Sequence, residues 1–174
     1  MKQGIPLCVD LDGTLIRGNS LWTLWAQRQE QRFLGTSWPM IKSRLAAQGA
    51  LSLNRLQYNQ KLVSLLQRLS KKGLPLFLVT GANERVAHQV SKTLGVFKEA
   101  IGSTDSLNLV GPQKAAYLIQ RFGIFGYSYI GDSWRDVPVW EGSHTILAIS
   151  GNFPLSVYLR FRKKKSQSLF FFPR

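Results

Sequence analysis

The chain has 174 residues, a formal net charge of +14 and a single cysteine. This length corresponds to one domain with room for a small insert, and the apolar fraction of 44% is that of a folded globular protein. One cysteine excludes a disulfide framework, and no apolar run approaches the roughly 18 residues of a membrane-spanning helix. Asp10 and Asp12 lie where a signal peptide would be apolar, which favours a cytoplasmic protein.

The charged residues are distributed unevenly along the chain. Four of the nine acids form two close pairs, Asp10 with Asp12 and Asp132 with Asp136, a pattern that predicts a cation site. Residues 17–72 contain ten Lys or Arg and one acid. These bases indicate either an ordinary solvated surface or a surface that meets a polyanion or an anionic membrane.

The first elements in chain order are one strand and a helical stretch. Residues 6–9 are apolar and predict a buried strand, and Gly13 allows a sharp turn after it. Helical patterns then extend over about 18–70. The last of these helices, predicted to be capped by Ser52 and to end at Gly73, has leucines at helical spacing.

Strands and helices alternate through the rest of the chain. Strands are predicted at 75–79, 99–103, 127–130 and 145–149. Between them lie helices, of which one ends at Gly95 and another begins at Pro112. This alternation predicts an α/β fold, a Rossmann-like parallel sheet of about five strands with a small helical cap inserted after the first strand.

The predicted domain organisation has three parts. Residues 1–17 and 71–150 form the catalytic core, 18–70 the cap, and 151–174 a basic and aromatic C-terminal tail. Apolar residues alternate from Phe153 to Phe161, which favours a strand or an extended segment. The tail is interpreted either as a membrane-interface anchor or as a disordered basic segment.

Polar residues follow three of the predicted strands, and a lysine begins a helix on the same sheet. Ligands of open parallel sheets bind at the carboxyl ends of the strands, so Asp10, Asp12, Thr80, Lys114 and Asp132 are expected to converge there. Clustered carboxylates need a cation to stay ionised, and a set of oxygen ligands suits Mg²⁺.

This set of residues is suited to phosphoryl chemistry. A carboxylate beside Mg²⁺ can attack phosphorus and form an aspartyl-phosphate, and a second acid two residues away can move the proton. Thr80 can donate a hydrogen bond to a phosphoryl oxygen, and Lys114 can neutralise the charge on the same group.

Four segments, in order, resemble the motifs of the haloacid dehalogenase (HAD) superfamily. They are Asp10-Leu11-Asp12-Gly13-Thr14, Thr80-Gly81, Lys114, and Gly131-Asp132-Ser133-Trp134-Arg135-Asp136. The resemblance implies a Mg²⁺-dependent phosphatase that works through an aspartyl-phosphate.

The resemblance also implies a role for each motif residue. Asp10 would be the nucleophile and a Mg²⁺ ligand, and Asp12 the general acid/base, which binds the metal through its backbone carbonyl. Asp132 would ligate the metal, and Asp136 would support the metal site directly or through water. The substrate phosphoryl group would be bound by Thr80, Gly81 and Lys114.

A narrower similarity concerns the segments 108–111 and 131–140. They are similar to the HAD domain fused to membrane prenyltransferases of the hydroxybenzoate-polyprenyltransferase type. This similarity leaves open a lipid-linked or polyprenyl-linked phosphate as substrate, a soluble metabolite, or an auxiliary domain without independent activity. Expected partners are the phosphorylated substrate and an anionic membrane surface or membrane prenyltransferase, at the inner face of the membrane. Nucleic acid is disfavoured, because no helix-turn-helix, zinc or RNA-recognition signature is present.

Overall fold

A computed structural model describes residues 4–18, 56–149 and 151–173 of the chain. Ser52 and most of the predicted cap therefore lie outside the described residues. The predicted domain boundaries stay a prediction for this reason.

The described residues form a six-stranded parallel sheet. Its strands are β1 (Leu7–Val9), β2 (Leu76–Asn83), β3 (Glu99–Ser103), β4 (Ser128–Gly131), β5 (Thr145–Ile149) and β6 (Ser168–Phe172). The spatial order is β3-β2-β1-β4-β5-β6, so β1 lies at the centre between β2 and β4. The α/β class and the parallel sheet are confirmed, with one strand more than the five expected.

Helices cover both faces of this sheet. They are α1 (Gln60–Lys71), α2 (Glu84–Leu94), α3 (Pro112–Phe122), α4 (Val137–Glu141) and α5 (Phe153–Arg162), with a 3₁₀ turn at Trp134–Asp136. Helices α1 and α2 pack on one face, and α3, α4 and α5 pack on the other. Successive side chains of a strand point to opposite faces. Leu7 and Val9 accordingly pack under α1, while Cys8 packs on the opposite side.

Cys8 is fully buried inside β1, as expected for a small hydrophobic side chain. Burial raises the pKa of its thiol to about 12. Such a thiol stays protonated at neutral pH and is no nucleophile.

Helix α1 begins at Gln60 with Asn59 as its N-cap, so the prediction that Ser52 caps this helix is wrong. The side-chain oxygen of Asn59 accepts a hydrogen bond from the Leu62 amide at 3.2 Å. The Asn59 amide in turn donates to the carbonyl of Leu15 at 2.9 Å, which ties the start of α1 to the loop after β1. This backbone contact is long-range, so leucine spacing alone could not place the start of the helix.

The C-terminal segment is part of the fold, and the extended segment predicted at 153–161 is wrong. These residues form helix α5, whose N-cap Asn152 accepts a hydrogen bond from the Leu155 amide. Leu155 and Leu159, four residues apart, are buried against the sheet. Alternating apolar residues include such i, i+4 pairs, so the same pattern also fits a helix. Strand β6 then pairs with β5 and completes the sheet.

Strand β2 runs four residues past the predicted end at Val79. Its pairing with β3 shifts register between Val79 and Asn83, which marks a bulge at Thr80–Ala82.

None of the described helices is both long enough and apolar enough to cross a membrane.

Candidate active site

Three carboxylates meet at the carboxyl edge of the sheet. Asp10 follows β1 and Asp132 follows β4, and these strands are neighbours. One oxygen each from Asp10, Asp132 and Asp136 lies within 4.8 Å of the others. An all-oxygen donor set of this size is suited to Mg²⁺, which takes carboxylates and keeps several waters.

Lys114 supplies a buried positive charge beside these carboxylates. It lies in the first turn of α3, where Pro112 fixes the start of the helix. Its Nζ donates to Asp10 Oδ1 at 2.8 Å and lies 3.7 Å from Asp136 Oδ1. Burial alone would lower the pKa of this ammonium group, but Asp10 and Asp136 outweigh that effect and raise the pKa. Lys114 is therefore protonated at neutral pH.

The pKa of the Asp10 carboxyl lies well above its ordinary value. Burial raises its pKa, Lys114 opposes that rise, and the negative charge of Asp136 adds to it. A divalent cation bound among these carboxylates would offset both the desolvation and the repulsion. The donor set thus fits Mg²⁺ electrostatically as well as in ligand type.

Asp136 organises the loop after β4. Its Oδ2 accepts hydrogen bonds from the amides of Asp132 and Ser133, at 3.2 and 3.1 Å, and from Ser133 Oγ at 3.1 Å. Gly131 is needed here because a Cβ would lie 2.6 Å from Asp136 Oδ2. Asp136 therefore fixes the loop that carries Asp132.

Tyr129, which no sequence motif singles out, links Lys114 to Asp136. Its hydroxyl accepts a hydrogen bond from Lys114 Nζ at 2.8 Å and donates one to Asp136 Oδ1 at 2.8 Å. A buried tyrosine needs a partner for its hydroxyl. Tyr129 lies in a buried strand that ends one residue before Asp132, and this position in the sequence is the signal that could have identified it.

The loop after β1 closes against the loop after β4. Gly13 has a φ of +76° and approaches the Asp132 carboxylate so closely that a Cβ would overlap it. The Thr14 hydroxyl lies 3.5 Å from Asp132 Oδ1. Asp12 is half-buried in this loop, and its carboxylate lies outside the three-acid cluster. Its role as general acid/base stays a prediction.

Thr80 and Gly81 lie in the bulge of β2, two strands away from Asp132. Thr80 is buried, and its Oγ1 accepts a hydrogen bond from the Ala82 amide at 3.0 Å. A Cβ on Gly81 would lie 2.7 Å from a Val110 methyl group, so the bulge packs closely on the segment before α3. Because Val9 pairs with Leu78, Thr80 lies at the same edge of the sheet as Asp10.

Several solved structures with a similar fold are described as HAD-superfamily hydrolases or phosphatases. A HAD family hydrolase from Salmonella enterica serovar Typhi matches 89% of this chain and 67% of its own, with a TM-score of 0.63 and 13% identity. A phosphoserine phosphatase solved with a phospho-aspartyl intermediate analogue matches 90% of this chain and 91% of its own, at a TM-score of 0.61 and 13% identity. A Bordetella pertussis protein of unknown function matches 95% of this chain and 97% of its own, with a TM-score of 0.67 and 15% identity. The fold is that of the HAD hydrolases.

One curated relative matches most of the chain. Protein y4nM of Sinorhizobium fredii, described as uncharacterized, is 32% identical over 165 residues. The match covers 90% of this chain but only 32% of y4nM, so the chain spans about a third of the relative's length. No family model matches the chain.

Proposed function

We propose that the protein is a Mg²⁺-dependent phosphomonoester hydrolase that works through an aspartyl-phosphate on Asp10. The observation behind this proposal is the environment of Asp10. Its carboxylate lies 2.8 Å from Lys114 Nζ and in one cluster with Asp132 and Asp136. A buried carboxylate between a fixed cation and a metal site is suited to attack on a phosphoryl group, and the phosphatases of the same fold support this chemistry.

In the first step, an Asp10 oxygen forms a bond to phosphorus, and the bond from phosphorus to the substrate oxygen breaks. The electron pair of that bond stays on the leaving oxygen, which takes a proton from the Asp12 carboxyl. Mg²⁺ would be held by Asp10, Asp132, Asp136 and the backbone carbonyl of Asp12. When bound, it would supply positive charge that neutralises the phosphoryl oxygens. The phosphoryl oxygens would also be bound by Lys114, Thr80 and Gly81.

In the second step, the Asp12 carboxylate takes a proton from water. The water oxygen bonds to phosphorus, and the bond between phosphorus and Asp10 breaks with its electron pair returning to the carboxylate. Inorganic phosphate leaves, and both acids regain their starting states.

The direct test is phosphate release from p-nitrophenyl phosphate with Mg²⁺ and with excess EDTA. We expect turnover with Mg²⁺ and at least about 100-fold less with EDTA, because the metal neutralises the transition-state charge. Asp132→Asn should require more Mg²⁺ for half-maximal activity, whereas Asp105→Asn, which changes an exposed acid elsewhere, should match the wild type. Metal-independent turnover at the same rate would contradict the proposal.

For the substrate, we propose a lipid-linked or polyprenyl-linked phosphate, supported by the exposed aromatic and basic residues of α5. A soluble phosphorylated metabolite is the alternative. The two are distinguished by presenting a prenyl phosphate in vesicles beside a panel of soluble phosphomonoesters. Higher kcat/KM on any soluble ester would favour the alternative.

A second candidate function is that of an auxiliary domain in a larger membrane-associated protein. It is supported by the length of y4nM, of which the matched region is 32%. A membrane prenyltransferase at the inner face of the membrane would be the partner in this case. Absence of turnover on every ester, together with Mg²⁺ binding, would favour this candidate.

Tyr129→Phe is expected to lower kcat about tenfold with little change in KM. The variant removes the hydroxyl that holds Lys114 and Asp136 in place, and Tyr129 is thus a positioning residue. The Mg²⁺ concentration for half-maximal activity should rise, because Asp136 loses a hydrogen bond. Tyr127→Phe is the matched control, since it removes a buried hydroxyl that donates to the Val139 carbonyl at 2.9 Å. Equal kinetic effects of the two variants would show that Tyr129 is merely structural.

A further inference from the structure

Helix α5 has apolar side chains on two opposite faces. Leu155 and Leu159 pack into the core. Phe153 and Phe161 are 79% and 84% exposed. Phe153, Val157 and Phe161 follow one another at intervals of four residues, so they lie along one side of the helix, opposite the buried leucines. A row of exposed apolar side chains of this kind is typical of an interaction surface.

Basic residues surround the C-terminal end of this row. The exposed bases are Arg160, Arg162, Lys163, Lys164 and Lys165. Residues 151–174 contain no acid. Glu141 Oε1 lies 3.4 Å from Arg162 Nη2 and offsets that charge, so the positive charge of this end comes mainly from Arg160 and the three lysines. This charge attracts anions over several ångströms.

We propose that this surface of α5, formed by Phe153, Val157, Phe161 and the bases at 160–165, binds an anionic lipid membrane. The phenylalanines would enter the headgroup region, and the bases would contact lipid phosphates. With ten residues, α5 is too short to cross a bilayer and would lie in its plane. Lysine is depleted from protein interfaces, so three consecutive lysines beside Phe161 favour lipid over a protein partner.

The same surface continues toward the candidate active site. The Trp134 ring lies 5.1 Å from the Tyr158 ring of α5 and is 48% exposed. Trp134 begins the 3₁₀ turn that ends at Asp136. A membrane bound along α5 would thus lie beside the metal loop. The proposal concerns binding and does not rest on the proposed catalytic activity.

The first test is flotation of the purified protein with vesicles of phosphatidylcholine alone or with about 30% phosphatidylglycerol. We expect binding to the anionic vesicles, weakened by salt, and little binding to the neutral ones. The double variant Phe153→Ser/Phe161→Ser should bind at least about tenfold more weakly, because two apolar side chains no longer insert. Ile5→Ser is the matched control, since Ile5 is also exposed, at 39%, and precedes the central strand β1 rather than belonging to this surface. Both phenylalanines are exposed, so folding is expected to be retained and is checked by circular dichroism.

The second test separates this surface from net charge. K163Q/K164Q/K165Q should weaken anionic-vesicle binding at least about tenfold, at roughly fivefold per lysine near the surface. K72Q/K92Q/K98Q removes the same charge from exposed lysines elsewhere and should bind within about twofold of the wild type.

Several outcomes would overturn the proposal. They are no binding to anionic vesicles at about 0.1 M salt, equal losses in the two lysine variants, and unchanged binding of the phenylalanine variant. Self-association lost in the phenylalanine variant would instead assign the surface to a second copy of the chain. Single-stranded DNA that competes fully with vesicles, with loss of DNA binding in the same variants, would assign it to nucleic acid.

Discussion

Asp10→Asn is expected to lower phosphate release from a phosphomonoester by at least about 10³-fold at saturating Mg²⁺. An amide in this position is no nucleophile toward phosphorus and binds the metal more weakly than a carboxylate does. Substrate binding should persist, because Lys114 and Thr80 are unchanged. The measurement is kcat for the two proteins, together with trapping of a phosphorylated enzyme by rapid acid quench in the wild type alone.

The matched control for this variant is Asp105→Asn, which changes an exposed acid in the loop after β3. Thermal unfolding without Mg²⁺ should show no loss of stability in Asp10→Asn. The substitution removes one of three clustered negative charges, and Lys114 keeps Asp136 at 3.7 Å. Retention of more than about a tenth of the wild-type kcat would exclude Asp10 as the nucleophile.

Lys114→Met is expected to reduce kcat by at least about 10³-fold and to destabilise the fold by about 3–5 kcal/mol without Mg²⁺. Removal of the buried ammonium leaves the carboxylates of Asp10 and Asp136 without their cation, and the Tyr129 hydroxyl loses a donor. Methionine preserves most of the side-chain volume, so the decrease in the free energy of unfolding reflects the removed charge more than altered packing. Urea unfolding measures the stability, and phosphate release measures the activity.

The double variant Asp10→Asn/Lys114→Met tests whether these two charges act on each other. Its free energy of unfolding should exceed that of Lys114→Met alone, because the neutral amide that replaces the Asp10 carboxylate no longer needs a cation. Lys92→Met, at an exposed position of α2, should have the stability of the wild type within about 0.5 kcal/mol. If the two site substitutions were simply additive, the ion pair would contribute nothing to the stability of the site.

The strands and the acids that follow them could be predicted because both depend on local sequence. The predicted strands at 99–103 and 145–149 agree with β3 and β5 residue for residue. Asp10 and Asp132 reach one edge because parallel strands place their carboxyl ends together.

The features that could not be predicted from the sequence depend on contacts between residues distant in the chain. The start of α1 is fixed by backbone hydrogen bonds to the loop after β1. The role of Tyr129 requires Lys114, which helix α3 places on the same face of the sheet. The interpretation of 153–161 as extended failed because the exposed residues Phe153 and Phe161 are apolar. A surface helix with two apolar faces has the same composition pattern as a strand.

The central position of β1 has a consequence for synthesis on the ribosome. Its neighbours in the sheet, β2 and β4, begin at Leu76 and Ser128. Strand β1 is synthesised first and cannot pair on both sides until these two strands have been made. The contacts of the site span 104 residues between Asp10 and Lys114 and 118 between Thr14 and Asp132. Such long loops close late in folding. A nascent chain that has not yet emerged past β4 therefore carries Asp10 but no assembled site, and it exposes an apolar strand that nascent-chain chaperones can bind.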